Sequence, residues 1–396
     1  MRFSIRACIL VCCLGETGGA LEIDVAAIVS GVAFERGKLQ QGEFTITGTR
    51  SLHRLSGEVV DVKFEDHGKF DFALGARMYR HEGTIEGPTS DEYRLFEGRW
   101  IVGYVPDATY LYSSYGNINH VLMFEPETDR FSGIGLASFG FFDPRTLGLT
   151  QDMSLRKTPR LEDVLEEFRS TVEGQYEAEA LGDGMYALNR VFQTPGGPGS
   201  QVGVGRIVVD AFSGFSVLER TVGSRFVGPD GRTLITPAEH FALTPPDPSN
   251  LSDTLGRALA REVLSQSQVS WEERKDVWIP VSFEFRFFKQ EYDRLPNGNM
   301  DPESARLLES RISGAIDWSS VNVPFQDAAF SYRNFDVPAR TYVADMRDGE
   351  GTLIDLIHDE LPGIESRYGP LTYGLGAVFV VLVCGTLWLA KRRLNA

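Results

Sequence analysis

The chain has 396 residues, with 55 acidic against 39 basic ones and a net charge of −16. That balance repels nucleic acid and anionic membrane surfaces, which speaks against nucleic-acid binding. Its four cysteines, Cys8, Cys12, Cys13 and Cys384, all fall in apolar terminal runs, so the stretch between them has no disulfide, thiol nucleophile or thiolate metal site.

The first twenty residues have the layout of a signal peptide: Arg2 and Arg6, the apolar run Ala7 to Leu14, then small Gly18-Gly19-Ala20. Residues 21–349 are predicted as a β-rich extracytoplasmic domain. EIDVAAIVSGVAF is a candidate first helix. From 44 to 115 follow FTITGTRSL, EVVDVKFED, KFDFALG, RMYRHEGTI, EYRLFEGRWIVGYV and TYLYSSY, aromatic and β-branched runs broken by Gly, Asp and Asn. Val60, Val62 and Phe64 share one side of their run, and Phe70 and Phe72 share another. Such alternation predicts antiparallel strands with one buried face.

A divide between two lobes is placed near 143–159. Within ASFGFFDPRTLGL (137–149), Phe139, Phe141 and Phe142 crowd ahead of the Asp143-Pro144 turn, and Arg145 follows. Two readings stay open. The phenylalanines plug the core, or they lid an apolar cavity with Arg145 pairing an anionic head group. Trp100, Trp278, Phe285 and Phe287 are the candidate lining of such a cavity, although Trp278 just before Pro280 also suits a core position.

Beyond the divide, Leu161, Val164, Leu165, Phe168 and Val172 form a helical stripe. Helices are also predicted over 253–266, over 301–316 behind Asp301 and Pro302, and over 352–361 within a juxtamembrane linker, 350–370. GMYALNRVF, GRIVVDAF, FSVLERTVGSRFV, VWIPVSFEFRFFKQEY and VPFQDAAFSYRNF read as strands. Leu371 to Ala390 carries no Asp, Glu, Lys, Arg or His. Its length matches a bilayer core of about 30 Å, predicting a transmembrane helix. Lys391, Arg392 and Arg393 then place residues 391–396 in the cytoplasm and the bulk outside it. Between 21 and 390 the charge is −20, from 34 basic and 54 acidic residues. An ectodomain of this size without disulfides points to a bacterial envelope, and a helical anchor with a basic stop to its inner membrane.

An N-terminal helix, a run of antiparallel strands, mid-chain helices and returning strands together resemble the bacterial lipoprotein-carrier fold. KFDFALGARMYRHEG, EYRLFEGRW and KDVWIPVSFEF carry the resemblance, over about residues 22–349. It implies an α+β fold: a curved antiparallel sheet, or incomplete β-barrel, wrapped round an apolar cavity with helices on one face. This chain departs from a simple carrier in its greater length and its own anchor.

No catalytic motif is present. G-x-S-x-G, the P-loop and H-E-x-x-H are absent, and GVGRIV at 203–208 lacks the third glycine of a dinucleotide loop. The six histidines are scattered. His67 and His81 are the pair a hairpin could bring together, but both are expected on exposed strand faces, with no metal and no cofactor. The chain is therefore expected to be a non-catalytic, membrane-anchored binding module for a lipid, a lipidated protein or another apolar ligand. The alternatives are a structural or protein-interaction component of the envelope, in contact with another envelope protein, and a hydrolase of envelope glycans or peptides.

Overall fold

The computed structural model describes residues 24–53, 59–86, 98–113, 120–126, 144–149, 161–192, 196–245, 261–291, 306–338, 340–349 and 351–357. The proposed signal peptide, the Leu371–Ala390 span and the basic tail lie outside these residues. Among those described, no helix is long and apolar enough to cross a membrane.

The first strands are β1 (Gln41–His53), β2 (Val59–Asp71), β3 (Ala76–Glu86), β4 (Gly98–Val105), β5 (Ala108–Ser113) and β6 (His120–Phe124). After the mid-chain come β7 (Glu177–Gly182), β8 (Met185–Val191), β9 (Gln201–Asp210), β10 (Ser216–Val227) and β11 (Leu234–Ile235). The last are β12 (Ser265–Arg274), β13 (Val277–Glu291), β14 (Arg306–Val321), β15 (Thr341–Asp345) and β16 (Thr352–Ile357). Three helices join them: α1 (Val25–Gly37), α2 (Leu161–Glu173) and α3 (Pro237–Leu243).

All the described strands belong to one open, curved sheet, in the order β16-β15-β6-β5-β4-β3-β2-β1-β14-β13-β12-β10-β9-β8-β7, with β11 paired to β10. Pairing is antiparallel except for β15 with β6. Strands from both sides of residues 143–159 are hydrogen-bonded in this sheet, because β1 pairs with β14 from Gly42↔Val321 to Ser51↔Arg311. The mid-chain therefore leaves β6, beside one end of the sheet, and returns at β7, the opposite edge.

Two core clusters result. The larger gathers Phe44, Ile46, Phe70, Tyr79, Trp100, Val102, Val269, Ile279, Phe283, Phe285, Ile316 and Trp318, among others. The second packs α1 (Ile28, Val29, Val32) and α2 (Leu161, Val164, Phe168, Val172) against Leu188, Ile207, Val209 and Val217 of β8–β10. Asp24 caps α1, its carboxylate accepting from the Ala26 N–H at 2.9 Å. The mid-chain segment 144–149 is wholly buried and joins the clusters, with Leu147 in the first and Leu149 in the second. Three arginines clamp it. Arg36 donates to the Leu147 carbonyl at 3.3 Å, Arg220 donates to the Leu149 carbonyl, and Arg145 donates to the Leu39 carbonyl at 3.3 Å.

In the larger cluster, phenylalanine rings reach over glycines of the neighbouring strand. A Cβ at Gly48 would overlap the Ser313 carbonyl oxygen and the Phe64 ring, and one at Gly68 would overlap the Phe44 ring. Aromatic cover over a strand glycine restores the packing that the missing side chain gives up.

Several predicted elements differ. Residues 306–316 of the expected 301–316 helix lie in strand β14, which runs on to Val321, because Ile312, Ile316 and Trp318 alternate inward and β14 pairs with β1 and β13. Burial of that face outweighs the helical spacing of the same sequence. Residues 352–357 are strand β16, paired with β15, instead of the start of a helix. Residues 261–264 of the 253–266 prediction are non-helical, and Ser265 begins β12. VPFQDAAFSYRNF contains two 3-10 turns, Asp327–Phe330 and Tyr332–Asn334, where a strand was expected.

Candidate functional site

The sheet register brings Ile316, Ile46, Asp66, His81 and Trp100 side by side across five strands. His81 is 6% exposed, its Nδ1 lies 2.6 Å from Asp66 Oδ1, and the Phe64 ring stacks on it at 6.3 Å. This corrects the expectation of an exposed His81. The register pairs His67 with Arg80 and His81 with Asp66, so the two histidines do not meet. His67 instead bonds Thr45 Oγ1 at 2.9 Å and Glu65 Oε1 at 2.5 Å. Four residues further along β1, Arg50 stands beside Val62 and Ile312, and burial lowers its pKa to about 10, which still leaves it a cation at neutral pH. Among the described residues, no group of three His, Cys, Asp or Glu could hold a metal ion.

Most of the described lining candidates converge on this layer. Trp100 and Phe285 are each 4% exposed within the larger cluster, and Phe287 packs against it. Arg145 is 2% exposed, and its guanidinium lies 3.3 Å over the Phe72 ring. That geometry ties it to the protein's own aromatic rings and backbone. Trp278 stands apart. Val277 and Ile279 on either side of it point into the core, so it faces the other way, beside Gly214. Phe139, Phe141 and Phe142 lie outside the described residues. The layer is a buried aromatic cluster with a polar pair set beside it.

A cavity of about 660 Å³ lies elsewhere, lined by α3, residues 261–263, and the β12 and β13 side chains that alternate with the core-facing ones. Its first wall is built from TPAEHFAL. Thr236 and Glu239 form a reciprocal capping box, with the Thr236 N–H donating to Glu239 Oε2 at 2.7 Å and Pro237 at the first turn. His240 stacks on Phe226 with centroids 4.0 Å apart, and Phe241 meets Phe226 edge-on at 5.4 Å. Burial lowers the His240 pKa, so the stacked ring is neutral at pH 7. These contacts leave Pro237, Ala238, Phe241 and Ala242 lining the cavity.

The second wall is pinned by backbone bonds. The Ser224 N–H and hydroxyl both donate to the Arg261 carbonyl, at 3.1 and 2.8 Å, and the Leu264 N–H donates to the Val222 carbonyl at 2.7 Å. Val263 and Phe288 supply its apolar surface. Gln266 also lines the cavity, and its amide donates to Glu219 at 3.1 Å. Two of the three charged lining residues are paired: Glu262 with Arg225 at 2.8 Å and Arg286 with Glu309 at 2.8 Å. The Glu309 carboxylate raises the pKa of Arg286 further. Arg261, the third, lines the cavity with no ion-pair partner among the described residues. The volume is in the range of pockets that hold small ligands, about 300–1,000 Å³. The sequence reading passed over these residues, although Thr236-Pro-Ala-Glu239 carries the capping-box spacing in plain view.

No family model matches the chain, and no curated protein matches it in sequence. Solved structures give faint likenesses. A domain from Vibrio parahaemolyticus, provisionally assigned as an outer membrane lipoprotein-sorting protein, aligns at 9% identity and TM-score 0.32, over 76% of this chain and 95% of that one. Lipovitellin aligns at 9% identity and TM-score 0.21, over 72% of this chain and 26% of its own. A β-barrel-like protein of a domain of unknown function from Brucella abortus aligns at 6% identity and TM-score 0.21, over 72% and 100%. Scores at this level settle neither fold nor function.

Proposed function

We propose that this chain is a non-catalytic binding module for a lipid, a lipidated protein or another apolar ligand. We take it to be held in a bacterial inner membrane by Leu371–Ala390, with its sheet outside the cytoplasm. The carrying observation is the cavity between α3 and β12–β13. It has ligand size, with apolar walls from Phe241, Val263 and Phe288 beside the polar groups of Arg261, Glu262, Gln266 and Arg286. In this reading the sheet is an incomplete barrel, open between β16 and β7, whose inner layer holds the buried aromatic cluster and whose ligand sits on the opposite face.

Native mass spectrometry of the full chain, extracted in mild detergent, tests the reading. The expected spectrum shows a stoichiometric adduct of lipid mass, lost in Ala242→Trp and Ala238→Trp, which fill the cavity from α3. An unmodified mass that persists after incubation with envelope lipids would contradict it.

A second reading has its own observation. The aromatic layer holding Trp100 and Phe285 is a buried cluster, which suits a structural or protein-interaction component of the envelope. An adduct-free chain that copurifies stoichiometrically with one envelope protein would favour it.

A further inference from the structure

We propose that the ligand of the α3 cavity is an amphiphile with an anionic head, a carboxylate or a phosphate, bound by Arg261. The inference rests on the cavity being a ligand site and adds the chemistry of its occupant. Two kinds of surface meet there. Phe241, Ala242, Val263 and Phe288 offer an apolar channel that suits a hydrocarbon chain. Glu262 and Arg286 are committed to Arg225 and Glu309, each at 2.8 Å, so their charges are already balanced by the protein. Arg261 alone of the three contributes a charge with no ion-pair partner among the described residues.

The main chain at Arg261 is held by two hydrogen bonds from Ser224, so the base of this side chain is fixed relative to the cavity. A guanidinium offers a planar fork of donors that matches carboxylate and phosphate oxygens. A neutral ligand would use the channel and leave that fork bonded to water. An anionic ligand would use both. The head group would also meet the positive charge locally, although the chain as a whole is acidic.

The test uses the full chain in lipid nanodiscs and three photoreactive probes with identical long alkyl chains. One ends in a carboxylate, one in a phosphate monoester and one in a hydroxyl. Crosslinked peptides are mapped by mass spectrometry. The expected result is labelling of the peptides containing Phe241 and Phe288, with an anionic probe labelling about tenfold more than the alcohol, the scale of one charge-assisted hydrogen bond. In Arg261→Gln the ratio of anion to alcohol should fall to near one. Comparing carboxylate with phosphate assigns the head. Equal labelling by all three probes in the unaltered chain would overturn the anionic-head inference and leave the cavity as an apolar site. Absence of label from both peptides would overturn the cavity reading and this inference with it.

Discussion

The inner layer of the sheet and the α3 cavity are both rich in phenylalanine, yet they are built to opposite ends. In the layer, aromatic rings reach over glycines of the next strand, Phe44 over Gly68 and Phe64 over Gly48, and take the space a side chain there would need. At the cavity, Phe241 is held off β12 and β13 by its edge-on contact with Phe226, and the space stays open. The difference lies in what anchors each ring. Strand neighbours draw rings into close packing, while a short capped helix standing on a second aromatic pair props its ring apart. Aromatic density in a sequence therefore does not mark a ligand site. What matters is whether a neighbouring element fills the space the rings leave.

Substitutions separate the two regions, because in the layer they should move stability and at the cavity they should move binding. The largest effect belongs to Trp100→Ala, which removes a 4% exposed ring and should cost about 3–5 kcal/mol in urea unfolding of the full chain. Arg145→Ala comes next. It removes both the bond to Leu39 and the stack on Phe72, and about 2–3 kcal/mol should be lost with no change in ligand retention. If Arg145→Ala releases ligand from a chain of unaltered stability, the assignment of that side chain to the fold fails. Gly48→Ala should cost about 1–3 kcal/mol by driving a methyl into the Ser313 carbonyl and the Phe64 ring.

Smaller effects are expected at α3. Thr236→Ala breaks the capping box and should cost about 0.5–2 kcal/mol, read as faster amide exchange at Thr244, whose N–H bonds the His240 carbonyl at 2.8 Å. The smallest is a pH effect. Hydrogen bonds from Thr236, first its backbone N–H and then its hydroxyl, hold the Glu239 carboxyl below its ordinary value. A depressed carboxylate stabilises the fold above its unfolded pKa, and that contribution disappears as pH falls through the folded value. Exchange at Thr244 should therefore quicken on acidification through the carboxylate range, and Glu239→Gln should flatten the dependence. Unchanged exchange in both variants would remove the capping box as the support of this wall.

Much of the sheet was legible because its signal is local. Val60, Val62 and Phe70 alternate, and the structure buries all three. The stripe Leu161, Val164, Phe168 and Val172 is likewise the buried face of α2. The sequence over 306–321 misled because Leu307, Leu308 and Ile312 fit a helical spacing while Ile312, Ile316 and Trp318 fit an alternating one. Only the availability of β1 and β13 as partners decides between them. The cavity was not legible, since Phe241, Arg261 and Phe288 come from three separate segments and meet only through the β10–β12–β13 pairing. The Asp66–His81 pair was hidden for a related reason: the burial of His81 and its placement opposite Asp66 follow from a register that no local pattern reveals.

The most direct measurement is an experimental structure of the full chain purified from its own membrane, with no lipid added. The account predicts elongated density between Phe241 and Phe288 that ends near Arg261. A cavity holding only ordered water, or closed by its own side chains, would contradict it.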